Sequence, residues 1–311
     1  LKALCYGPTG AIVAAGTTSL PEHIGGIRNW DYRYCWLRDS AMAAAALAKL
    51  GSTGVGTRLI DWLLGILDRD EAPEWFRPVY TVTGGHLSVE AEIRELPGYR
   101  GSRPVRVGNA AAQQLQLDVF GPIMELVALL AESGAALSTE HWRLTEAIVK
   151  SVCRRWHEPD HGIWEIRRPR QQHVHSKVMC WVAVDRALRI AQAFSAQQPA
   201  EWVSLREKIA NDVLEHGWNR AVGAFTATYD DTALDAAALH VGLSGLIPGS
   251  DPRFVGTVEA VERTLRRGPT VYRYLYDDGL PGREGGFHLC TSWLIEALVL
   301  VGRVGDARDL L

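Results

Sequence analysis

The stretch Gly162-Ile163-Trp164-Glu165-Ile166-Arg167 places a carboxylate between a large flat indole and a guanidinium, directly after the turn Glu158-Pro159-Asp160-His161-Gly162. A carboxyl that donates a proton near neutral pH needs a raised pKa, and an apolar wall raises it by disfavouring the charged form. Trp164 and Ile163 supply such a wall. An indole is also a platform for the apolar face of a sugar ring, with an N–H left over for a hydrogen bond. Glu165 therefore reads as a proton donor in a carbohydrate-cleaving pocket. The same six residues also fit a strand-like segment with Glu165 and Arg167 as a surface ion pair and Trp164 in the core.

Two further stretches carry side chains suited to hydroxyl recognition. Asn29-Trp30-Asp31-Tyr32-Arg33-Tyr34-Cys35-Trp36-Leu37-Arg38-Asp39-Ser40 precedes an Ala-rich helix over 40–50, with Asp39 or Ser40 expected as its cap. Arg38 beside Asp39 offers a fork of donors next to an acceptor, which neighbouring sugar hydroxyls require. The pair fits a helix cap and simple ion pair equally well. In 272–293, Arg273 and Glu284 sit in Gly-rich loops before a helix over 286–302, and the glycines permit close backbone approach to a ligand. The segment 101–108, Gly101 to Gly108, is a candidate pocket mouth or a plain turn. Asp230, Asp231 and Asp235 have a spacing that could hold magnesium in a helical enzyme of terpene-synthase type, although aspartates there more commonly cap a helix. His173 and His175 are a metal pair without a third ligand.

The elements that must position these groups are mostly helical. Apolar periodicity predicts helices over 56–69, 109–132 with a kink at Pro122, 138–157, 176–195, 199–216, 231–243 and 252–267, with another starting near Gly305. Strand-like alternation is confined to Val79–Val82, Ile163–Arg167, Ala224–Tyr229 and Val271–Tyr276. Residues 70–108 form a long loop rich in Pro, Gly and aromatics, a length that usually serves a function. Helices in sequential pairs with alternating connection lengths suit a ring of hairpins whose longer loops gather at one end. The 311 residues are 47% hydrophobic with net charge −3, an ordinary globular composition without the basic excess that nucleic acid or an anionic membrane surface requires. No apolar run reaches transmembrane length and no signal peptide is visible. Five scattered cysteines without a CxxC pair suit reduced thiols in the cytoplasm. Eleven Trp serve either as sugar platforms or as helical core.

Taken together, Trp30 to Asp39, Gly162 to Glu165, and Glu284-Gly285-Gly286-Phe287 running into Cys290-Thr291-Ser292-Trp293 resemble glycoside hydrolase family 15, the family of glucoamylases, glucodextranases and bacterial and archaeal trehalases. Pro104 to Ala111 and Ser176 to Trp181 extend the resemblance over nearly the whole chain. It implies an all-α (α/α)6 barrel and an inverting, exo-acting release of glucose from α-glucosides. In that family the glutamate matching Glu165 is the general acid. Positions matching Trp36, Arg38, Asp39 and Arg273 hold glucose, and Trp164 and Arg167 join them as expected substrate contacts. No cofactor is expected, although some trehalase relatives use phosphate and magnesium.

The resemblance also carries departures. Fungal members have a second acidic residue where Ile166 stands, and Arg167 or Glu284 is expected to compensate. Inversion needs a second carboxylate to activate water, about 6.5–9.5 Å from the first. In the family it follows the helix after the Cys-x-x-Trp region, so it is expected beyond Leu311, with Glu284 as the one substitute in the matched loops. Residues 1–38 read as a linker into the barrel, 39–311 as a barrel truncated at its C-terminal end, and a β-sandwich domain is expected to precede both in the full-length protein. Residues 1–311 alone are expected to hydrolyse poorly, or to serve as a non-catalytic sugar-binding barrel.

Overall fold

The computed structural model describes residues 1–69, 76–194, 198–282 and 284–311. Ten α-helices dominate them: α1 (Leu37–Lys49), α2 (Thr53–Leu67), α3 (Phe120–Glu132), α4 (Thr139–Arg155), α5 (Val174–Ala193), α6 (Ala200–His216), α7 (His240–Leu243), α8 (Pro252–Leu265), α9 (His288–Leu300) and α10 (Val304–Leu310). Strands occur only as short antiparallel pairs, such as Cys35–Trp36 with Val79–Tyr80.

The packing order explains the composition of each helix. Helix α1 packs on α3, α3 on α5, α5 on α7, and α7 on α9, while α2, α4, α6 and α10 each back onto a member of this inner series. The middle inner helix, α5, is buried around most of its circumference, including the polar side chains His175, Ser176, Lys177 and Arg186. The outer helix α6 buries only Ile209 and Val213. Helix α1 packs on both α2 and α3 and buries Ala41, Ala44, Ala45 and Ala48, whose small side chains permit close approach.

Several sequence-based boundaries change for physical reasons. The run expected as one kinked helix over 109–132 is two 3₁₀ turns, Ala110–Gln113 and Leu117–Val119, followed by α3. Pro122 lies in the first turn of α3, where its missing N–H has no intrahelical partner to lose, so it does not kink the helix. Asn109 caps the first 3₁₀ turn by accepting from the Ala111 N–H at 2.9 Å. The helix expected over 231–243 is a 3₁₀ turn, Ala236–Leu239, and the single turn α7. Helix α1 starts at Leu37, so Asp39 lies in its first turn and is not its cap. Ile163–Arg167 is a turn, not a strand. Part of the long loop expected over 70–108, residues 70–75, and the end of the helix expected over 176–195, residue 195, lie outside the described residues.

A polar layer lies under the entrances to the inner helices. Asp118 and Asp160 are fully buried. Asp160 accepts from the Leu117 N–H at 2.9 Å and the Ser176 hydroxyl at 2.7 Å, both through Oδ2. Burial, and next the charge of Asp118, push the Asp160 carboxyl up to about 7. The unfolded chain gives up this proton near the ordinary aspartate pKa of about 3.9, so between roughly pH 4 and 7 the folded state holds the extra proton and stability falls as pH rises. Denaturant titrations across that range are expected to show this loss in the wild type and a flatter profile in Asp160→Asn.

Candidate active site

Many of the residues that line the main cavity come from loops at the entrances to inner helices. Trp36, Arg38 and Asp39 open α1; Ile163, Trp164, Glu165 and Arg167 precede α5; Arg273 and Glu284 to Phe287 precede α9. The cavity encloses about 460 Å³, within the range of about 300–1,000 Å³ typical of small-molecule sites. All eight side chains singled out as site residues line it: Glu165, Glu284, Trp36, Arg38, Asp39, Trp164, Arg167 and Arg273.

The Gly162–Glu165 turn aims the acid. Gly162 has φ +68°, and a Cβ there would stand 2.9 Å from the His173 ring, so the position needs glycine twice over. Glu165 itself has φ +61°, a left-handed conformation that is rare for a residue with a side chain and is commonly found at functional sites. The turn buries Ile166 and brings the neighbours Ile163, Trp164 and Glu165 together at the cavity. Alternation could not have placed these neighbours on one side, which is why the strand reading fails.

Glu165 Oε1 accepts from the Trp36 indole N–H at 2.6 Å and from Gln116 Nε2 at 3.3 Å. The Arg38 guanidinium lies 4.0 Å away. Burial raises the Glu165 pKa; Arg38 and the two hydrogen bonds pull it down, and Asp39 adds to the rise. Burial wins, and the carboxyl is held above its ordinary value. The indole at the carboxyl is thus Trp36, not only the sequence neighbour Trp164.

Trp164 is a fixed wall. Its N–H, expected to be free for a sugar hydroxyl, donates to both oxygens of Asp235 at 2.9 Å. Asp235 also accepts from the Tyr276 hydroxyl at 3.0 Å and the Ala237 N–H at 2.8 Å. Trp293, from the Cys290–Trp293 motif, packs beneath Trp164 with ring centroids 5.9 Å apart and does not line the cavity.

Charged groups gather on the side of Arg273. Its guanidinium stacks 5.2 Å from the Trp164 ring and is paired with Glu284. Glu284 also accepts from Arg28 at 2.6 Å, and Arg28 reaches Asp278 at 2.7 Å. Two guanidiniums thus share the Glu284 carboxylate. Arg167 does not pair with Glu165: it grips Glu90 at 3.0 and 2.7 Å and stacks 4.6 Å from Trp30, with Arg106 4.7 Å from the same ring.

Sequence reasoning missed Glu22, Trp30, Tyr32 and Asp278, which also line the cavity. Three of these four lie in 1–38, where turn signals masked them. The one available signal was the aromatic and charged density of Trp30 to Tyr34.

The metal readings do not survive the geometry. Asp231 caps a local turn through the N–H groups of Thr232 and Ala233, at 2.6 and 3.3 Å. Asp230 faces His216 at 3.7 Å, while Asp235 holds Trp164. His175 packs between His240 and Trp293 with centroids at 5.0 and 6.5 Å, and burial keeps it neutral, its pKa pushed down to about 3. Burial likewise pushes His173 down to about 4. Among the described residues no three His, Cys, Asp or Glu side chains are placed to share a metal ion.

Solved glycosidases and glucoamylases share this helical fold. A glycosidase variant solved in complex with glucose superposes with a TM-score of 0.78 at 21% identity, covering 99% of this chain and 78% of that one. A glucoamylase from Saccharomycopsis fibuligera gives 0.61 at 15% identity, covering 93% and 66%. A bacterial glucoamylase complexed with acarbose gives 0.66 at 14%, covering 97% and 46%. The fold is therefore the (α/α)6 barrel type of glucoamylases.

The chain belongs to the glycosyl hydrolases family 15, whose profile matches residues 1–308. It is 39% identical over 313 residues to a trehalase of Thermoplasma volcanium and 42% identical over 317 residues to a trehalase of Mycobacterium tuberculosis. Both matches cover 100% of this chain but 50% and 46% of the relatives, so the chain spans about half their length.

Proposed function

We propose that this chain forms the catalytic barrel of an inverting, exo-acting glucosidase whose substrate is trehalose. The observation that carries the reading is the Glu165 carboxyl, which faces the cavity, is held by Trp36 at 2.6 Å, and is kept above its ordinary pKa by burial. Glu165 protonates the glycosidic oxygen. Arg38 and Asp39, paired at 3.1 Å, bind hydroxyls of the glucosyl unit being released, and Trp36 and Trp164 wall it. Arg273 contacts the sugar while Glu284 holds it in place. Arg167 braces the Trp30 side of the mouth through Glu90.

Trehalose is favoured over longer glucans because the similar curated relatives carry the name trehalase. The base that activates water is assigned to a segment outside residues 1–311, because Glu284 is occupied by Arg28 and Arg273. Relatives about twice this length leave room for that segment and for an N-terminal β-sandwich. All five cysteines are free thiols, which suits a reducing, cytoplasmic location. No helix among the described residues is long and apolar enough to cross a membrane.

The test is to follow trehalose and maltotriose by proton NMR with the full-length protein. Inversion at one anomeric carbon of trehalose gives α- and β-glucose in equal initial amounts. Initial release of α-glucose alone would mean retention and contradict the mechanism. Binding of trehalose without turnover would leave a sugar-binding barrel, and turnover of maltotriose alone would move the substrate to maltooligosaccharides.

A further inference from the structure

The cavity holds two carboxylates to which the proposed reaction gives no role, Glu22 and Asp278, and Asp278 is taken up by Arg28 at 2.7 Å. Glu22 sits on an exposed turn just after the strand Thr18–Pro21, and its side chain leans into the cavity, 25% exposed. Its nearest charged partner is the Arg273 guanidinium at 3.6 Å, beyond normal hydrogen-bond length. Arg273 itself is engaged by Glu284. Both Glu22 oxygens are thus placed to accept from something else in the cavity.

The charges around the cavity fall into two groups. Glu165 is influenced by Arg38 and Asp39. Glu22 lies 3.6 Å from Arg273, which is paired with Glu284, and Glu284 in turn holds Arg28 at 2.6 Å. Tyr32 lines the same cavity as both groups. Each group contains a guanidinium beside a carboxylate: Arg38 with Asp39 at 3.1 Å, and Arg273 with Glu22 at 3.6 Å. A donor fork next to an acceptor is the arrangement that reads a pair of neighbouring hydroxyls. One such pair suffices for a single sugar ring, whereas a disaccharide of two glucosyl units presents vicinal hydroxyls at both ends.

We infer that Glu22, together with Arg273, binds the hydroxyls of the second sugar ring, the one that leaves, and so sets the preference for a disaccharide over a glucoside with a small leaving group. The inference rests on the proposed hydrolysis of α-glucosides and adds the residue that reads the leaving half. Glu22 acts on recognition and not on proton transfer. A hydroxyl bonded to a charged acceptor is worth about 1.5–3 kcal/mol, or roughly a 10- to 150-fold change in kcat/KM.

The experiment compares wild type, Glu22→Gln and Glu22→Ala in the full-length protein on trehalose and on α-glucosyl fluoride, whose leaving group has no hydroxyls. The expected result is a loss of about 10- to 150-fold in kcat/KM on trehalose for Glu22→Ala, carried mainly by KM. A smaller loss is expected for Glu22→Gln, and the fluoride rate should be unchanged in both. An equal loss on both substrates would overturn the inference, because it would mark Glu22 as a catalytic base or a structural residue. So would no loss on either. If the wild type turned over neither compound, the glucosidase reading itself would fail and take this inference with it.

Discussion

Glu165→Gln is expected to lower kcat on trehalose by about 10²–10⁴-fold, the usual contribution of a positioned general acid, while KM stays close to wild type. The reason is local. The amide oxygen of glutamine accepts from Trp36 and Gln116 as the carboxylate does, so the turn and the cavity keep their shape and only the transferable proton is lost. A residue acting only in the transition state lowers kcat and kcat/KM together. In the wild type, activity that depends on protonated Glu165 falls as pH rises through its pKa, which burial has raised. The variant should lose that limb of the profile. Steady-state kinetics from pH 4 to 8 read both effects.

Arg38→Leu carries the second large effect, in stability and activity at once. Arg38 is buried and donates to Asp118 at 3.1 Å and to Gln116 at 3.2 Å. Asp118 is itself fully buried. Removing the guanidinium strands that carboxylate, which typically costs about 3–5 kcal/mol. By contrast Arg168 and Asp277, 46% and 71% exposed, form a pair that solvent screens, and its loss should cost about 1 kcal/mol or less. Arg38→Leu also withdraws the positive charge that lowers the Glu165 pKa, so the limb of the pH profile controlled by Glu165 moves to higher pH. Denaturant unfolding of Arg38→Leu, Asp118→Leu and the double variant separates the two roles. The double variant should recover much of the stability and none of the hydroxyl binding. Full activity in it would remove Arg38 from the site.

The sequence shows most of its helices and the three loops that line the cavity, and the reason is that their signals are local. The small-residue run of α1 and the apolar periodicity of α2 are written within their own residues. What stayed illegible depends on contacts between distant segments. Nothing near Trp164 announces that Asp235, 71 positions later, takes its N–H. Nothing near Glu165 points to Trp36, 129 positions earlier, as the indole on its carboxyl. Arg28 and Glu284, 256 positions apart, meet across the cavity wall. Periodicity also overreached in two places. Apolar spacing continues through 110–119, yet the capped 3₁₀ turns before α3 satisfy the backbone there without an α-helix. Trp164 to Arg167 alternate apolar and charged like a strand, but Gly162 and the left-handed Glu165 make a turn that brings the Glu165 carboxyl to the cavity.

The N-terminal residues make the same point from the other direction. Read alone, 1–38 offers turn signals and scattered aromatics. In the fold, Asp31 grips Arg33 at 2.8 Å and accepts from the Gly108 N–H at 3.3 Å. Those contacts carry Trp30 and Tyr32 to the cavity edge. A segment whose partners lie tens of residues away shows its role only once it is folded.

The most direct test of Glu165 as the proton donor is the leaving-group dependence of Glu165→Gln. Fluoride departs without protonation, whereas the sugar oxygen of trehalose needs a proton as the bond breaks. The expected result is that Glu165→Gln hydrolyses α-glucosyl fluoride at close to the wild-type kcat/KM while its trehalose activity collapses. Equal loss on both compounds, or wild-type hydrolysis of trehalose by the variant, would contradict the assignment.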